Sequence, residues 1–157
     1  MKLAVDLDAA LGNTRPLWEA WLEDARRRFR SIADLDPASL PRDRGAAADM
    51  LDEWASTGVG DWRAALERFA EDHAPLFLRP DAAATSALRR LHGAGARVVA
   101  FTDAPLTLAR VAAAHLGAAR RLEAIECGTG AEAHAAARLG EGAIVVRSRG
   151  ELLQLAP

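Results

Sequence analysis

Two carboxylates stand two residues apart near the start of the chain, Asp6 and Asp8, directly after the apolar triplet Leu3-Ala4-Val5. In an extended segment residues two apart project to the same side, so both carboxyls serve one place. Such a pair can divide labour, one ionised as nucleophile or metal ligand and one protonated as an acid. A second set lies far along the chain, where Thr102 and Asp103 follow the apolar run Arg97-Val98-Val99-Ala100-Phe101 and Pro105 opens a helix. The free amides of a helix N-terminus favour an anion. Two acids, a hydroxyl and a helix start are together the parts that can hold a phosphoryl group and Mg²⁺. Singly, each is as well explained by a turn cap or a strand end.

The elements that must position these groups follow from apolar spacing. Leu3–Val5 reads as a short buried strand. A helix capped by Asn13 or Thr14, with Pro16 in its first turn, carries Trp18, Trp21, Leu22, Ala25 and Phe29 on one face. Asp36-Pro37 and Leu40-Pro41 break the pattern, so residues 31–45 read mostly as connection. Two further amphipathic stretches follow, one with Met50, Leu51 and Trp54, the next capped by Asp61 with Trp62, Leu66 and Phe69. This segment reads as helical with a small apolar cluster of its own, its tryptophans serving as core. From Asp81 onward helix and strand alternate: helices at 81–92, 105–116, 131–139 and 151–155, and strands at 97–101, 122–125 and 143–146. A strand, a helical insert and repeated helix–strand units indicate a parallel sheet covered on both faces. In such sheets ligands bind beyond the carboxyl ends of the strands, where Asp6, Asp8, Thr102 and Asp103 would lie.

Composition narrows the classes. The 157 residues fit one domain with a small insert, half of them hydrophobic and 27% charged, which excludes a disordered chain. A net charge of −2 argues against a general nucleic-acid or membrane binder, and the apolar runs are far too short to span a bilayer. The single cysteine, Cys127, excludes an internal disulfide and a multi-cysteine zinc site, and reads as structural. The four histidines show no metal-ligand spacing, and Arg26-Arg27-Arg28 reads as a solvated helix face. Met1 leads straight into a strand with no secretory segment, so a cytoplasmic setting is expected.

The stretch Val5-Asp6-Leu7-Asp8-Ala9-Ala10-Leu11 resembles the first motif of the haloacid-dehalogenase-like (HAD) superfamily, and Phe101-Thr102-Asp103 resembles its second. The resemblance implies a Rossmann-like α/β core over residues 1–13 and 80–157, its parallel sheet flanked by helices. A small helical cap at 14–79 would be inserted after the first strand. It further implies a Mg²⁺-dependent phosphatase acting on a small phosphomonoester, most similar to the phosphoglycolate-phosphatase branch. Asp6 would form an aspartyl-phosphate, and Asp8 would be general acid and then base with its carbonyl on the metal. Thr102, with Asp103 beside it, would bind the phosphoryl group.

The chain departs from that pattern. Ala9-Ala10 replace the usual Gly-Thr, and no lysine follows Lys2 to serve as the third motif, so an arginine must. Arg120 and Arg121 are the candidates expected in the cleft, with Arg138 behind them. The fourth motif, which completes the metal site, is placed either at Cys127-Gly128 with Glu132 or at Arg147-Ser148 with Glu151. The first is preferred, giving Asp6, Asp8 and Glu132 as the expected Mg²⁺ set. The alternative implied by the losses is a degenerate member that binds a phosphorylated ligand or a protein partner without turnover.

Overall fold

The computed structural model describes residues 1–157. Strand β1 (Lys2–Asp6) is followed by a single π-helical turn at Leu7–Leu11 and by helices α1 (Arg15–Arg28), α2 (Arg44–Ala55) and α3 (Trp62–Phe77). Helix and strand then alternate: α4 (Ala82–Gly93), β2 (Arg97–Thr102), α5 (Leu106–His115), β3 (Ala124–Cys127), α6 (Ala131–Leu139), β4 (Ile144–Val146) and α7 (Arg149–Leu155). The four strands pair in parallel in the order β3-β2-β1-β4. The architecture is therefore α/β and Rossmann-like, a parallel sheet flanked by helices.

Period-two alternation sorts the strand residues between two layers. Leu3 and Val5 pack with Leu88, Leu91, Leu108 and Leu152 of α4, α5 and α7. Ala4, Val99 and Phe101 face the opposite side, covered by Ala131, Ala135 and Leu139 of α6. β3 begins two residues later than its sequence pattern indicates, because a 3₁₀ turn at Ala119–Arg121 takes Leu122 as its cap.

The helices of residues 14–79 do not carry a core of their own, which corrects one expectation. Trp18, Trp21 and Trp62 are buried in series, with successive ring centroids 5.6 Å apart. They belong to one cluster of 34 buried residues that also contains Leu3, Val5 and Leu88. Continuity runs through α3, which packs against α5. Both helices bury small residues, Ala70 and Ala74 on one and Ala109, Ala112 and Ala113 on the other, and small side chains let the helices approach. No helix is long and apolar enough to cross a membrane.

Two local features aim the chain at the sheet's carboxyl end. Asp6 caps the turn that follows it, accepting from the Ala9 amide at 3.1 Å. The start of α2 is capped by Asp43, which accepts from the Ala46 amide at 2.9 Å and from the Thr129 hydroxyl at 2.7 Å. Gly45 lets this helix end sit flush on the loop after β3: a Cβ there would stand 2.4 Å from the Thr129 nitrogen.

Candidate active site at the strand ends

A cleft of about 360 Å³ opens beyond the carboxyl ends of β1 and β2, lined by Asp6, Asp8, Arg15, Arg44, Thr102 and Asp103 among others. The four residues expected there, Asp6, Asp8, Thr102 and Asp103, do converge. Asp6 and Phe101 are register partners on adjacent strands, so Thr102, the last residue of β2, and Asp8, two residues past β1, meet at the same end of the sheet. The Thr102 hydroxyl donates to Asp8 Oδ2 at 2.6 Å and accepts from the Ala104 amide at 3.2 Å.

The group at the centre of this cluster is one that motif spacing does not indicate. Arg44, at the first turn of α2, is 1% exposed. Its Nε donates to Asp103 Oδ1 at 2.9 Å and its Nη1 to Thr14 Oγ1 at 2.7 Å. Its Nη2 reaches Asp8 Oδ2 at 3.1 Å and Thr102 Oγ1 at 3.4 Å. Its backbone amide also donates to Asp103 Oδ2, at 3.0 Å, and Arg15 Nη2 approaches the same oxygen at 3.3 Å. The other oxygen of Asp8 accepts from the Thr14 amide at 2.8 Å and the Thr14 hydroxyl at 2.5 Å. Thr14 is thus a ligand of Asp8 rather than a side-chain cap for α1. A buried guanidinium is tolerable only when paired and hydrogen-bonded, and Arg44 satisfies both conditions.

This arrangement drives the two motif carboxylates apart in proton affinity. Burial raises the Asp6 carboxyl above its usual range; the Ala9 amide opposes this and the neighbouring Asp8 charge adds to it. Burial would also raise Asp8, but the Arg44 charge and the hydrogen bonds from Thr102 and Thr14 outweigh it, and the net shift is downward. Asp6 therefore holds a proton more readily than Asp8. That is the reverse of what a nucleophilic Asp6 and a proton-donating Asp8 require.

Other expected site residues lie elsewhere. Arg120 and Arg121 occupy the 3₁₀ turn ahead of β3, at the amino end of the sheet, where they line a separate hollow with Arg97 and Glu123. A residue that precedes a parallel strand cannot reach the carboxyl ends of its neighbours, so neither supplies the third-motif cation. Arg138 is paired with Glu126 at 2.5 Å. The preferred fourth-motif alignment is also overturned: β4, not β3, lies beside β1, with Val146 opposite Val5. The strand end next to Asp6 is consequently Arg147-Ser148. Glu132 does line the cleft, yet both its oxygens are taken by Arg147, at 2.5 and 3.1 Å.

These observations bear on the expected Mg²⁺. Of Asp6, Asp8 and Glu132, only Asp6 lacks a side-chain partner, and no three acidic, histidine or cysteine side chains group as metal ligands do. The residues present do not fit a Mg²⁺ site. Cys127 is half-buried and burial pushes its thiol up to about 11, in keeping with a structural role.

No protein-family model matches this chain, and no curated protein matches it.

Proposed function

We propose that this chain is a catalytically degenerate HAD-like binding protein that does not turn over phosphate esters. The observation that carries the reading is Arg44, whose guanidinium engages Asp8, Thr102 and Asp103, the groups the HAD-like reading needs for proton transfer and phosphoryl binding. With Thr102 donating to Asp8 and accepting from Ala104, its hydroxyl has no capacity left for a phosphoryl oxygen. Held as an ion by Arg44 and Thr14, Asp8 has no proton to give a leaving group. A free phosphorylated ligand is disfavoured for a further reason: five carboxylates line the cleft against two guanidiniums.

A second reading, a Mg²⁺-dependent phosphatase for a small phosphomonoester with Asp6 as nucleophile, rests on Asp6, which lines the cleft with no side-chain partner. It would require Arg44 to leave its pocket. Hydrolysis of an aryl phosphate, with and without Mg²⁺, by the wild type and Asp6→Asn separates the two. Equal traces in all four conditions are expected; Mg²⁺-dependent turnover lost in the variant would establish the phosphatase.

A further inference from the structure

We infer that the strand end beside Asp6 excludes a divalent cation because Arg147 ties up Glu132, the acid expected to complete a metal site there. Val146 is the register partner of Val5, so Arg147, the next residue, leaves β4 at the strand end next to Asp6. The side chain is held in a two-point fork on Glu132, Nη2 at 2.5 Å and Nε at 3.1 Å, and its backbone amide donates to Glu151 Oε2 at 2.6 Å. Fork geometry of this kind orients a guanidinium and consumes both oxygens of its carboxylate.

Two consequences follow for a metal. Glu132, a cleft carboxylate outside the Arg44 cluster, is converted into half of a neutral pair. That leaves Asp6 as the only acid of the expected set without a side-chain partner. Mg²⁺ sheds its water reluctantly and usually depends on carboxylates and phosphate acting together. Here Arg44 also holds Asp8, Thr102 and Asp103. Arg147 is exposed, so its charge is screened by water and salt; its effect is to occupy Glu132.

The inference concerns the metal alone and stands whether or not the chain has a partner. It is tested with the full chain and Mn²⁺, a paramagnetic cation that prefers the same oxygen donors, by following free Mn²⁺ and water-proton relaxation. Wild type is expected to leave added Mn²⁺ free. Arg147→Asp restores a carboxylate beside Asp6 and releases Glu132, and is expected to bind at least about tenfold more tightly than wild type. Adding Asp6→Asn to it removes the gain. Arg147→Gln, which releases Glu132 without adding a charge, should show a smaller gain and decides the matter if the aspartate variant does not fold. Saturable one-site binding by wild type that Asp6→Asn abolishes would overturn the inference. So would folded Arg147 variants that gain nothing.

Discussion

The two strand ends that flank β1 both pair arginine with carboxylate, yet they differ in nearly every physical respect. On the β2 side Arg44 is sealed from water and joined to Asp8, Asp103, Thr14 and Thr102. On the β4 side Arg147 and Glu132 form a tight fork whose side chains are 61% and 42% exposed. Breaking a buried pair strands a charge in a medium that cannot solvate it, whereas an exposed pair exchanges its partner for water at little cost. The first cluster thus fixes the helices of residues 14–79 to the sheet, and the second occupies a cleft carboxylate without holding the fold. Similar chemistry has two uses, and burial decides which.

The comparison is broken most directly at Arg44. Arg44→Met leaves Asp8 and Asp103 without their cation and is expected to cost about 3–5 kcal/mol in urea unfolding. Adding Asp8→Asn should recover part of that loss, and a strictly additive double variant would contradict the pairing. Gly45→Ala comes next: its methyl would meet the Thr129 backbone, and a loss of about 1–3 kcal/mol is expected from forcing the helix end off its loop.

The acid limb of stability sharpens the same contrast. Asp8 has a folded pKa below its usual 3.8, so its contribution is full above that value and is lost as pH falls through the folded one. Asp6 has the opposite sign: its raised pKa makes ionisation unfavourable in the folded state at neutral pH. Asp8→Asn is therefore expected to lower the neutral-pH melting temperature and flatten the decline below about pH 4, while Asp6→Asn raises the melting temperature. The smallest effect belongs to the exposed fork, where Arg147→Gln should change stability by less than about 1 kcal/mol. A loss there as large as that at Arg44 would remove the distinction between the two ends.

Much of the scaffold was legible in the residues. Period-two and period-3.6 patterns located the strands and helices, and the rule that ligands meet the carboxyl ends of parallel strands brought Asp6, Asp8, Thr102 and Asp103 together. Arg44 was hidden because its partners are 30 to 59 residues distant in sequence and it sits at the edge of a stretch that reads as connection. A local signal existed: Asp43 is an N-cap residue, and Gly45 is a poor choice for a first helical turn unless something approaches closely. The misplacement of Arg120 and Arg121 was avoidable, since residues ahead of a parallel strand stand at the end away from the ligand. Strand order was different. Whether β3 or β4 flanks β1 depends on how crossovers pack, and the short apolar runs of both carry no mark of their neighbour.

The central claim is that Arg44 keeps Asp8, Thr102 and Asp103 from engaging a phosphoryl group. It is tested most directly by nitrogen–proton spectra that resolve the Arg44 Nε–H and the Ala104 amide while inorganic phosphate is added. Both signals are expected to remain in place, with the Arg44 Nε–H protected from solvent exchange. A saturable shift of both, accompanied by loss of that protection, would mean that an anion displaces the guanidinium and that the site is open to phosphoryl chemistry.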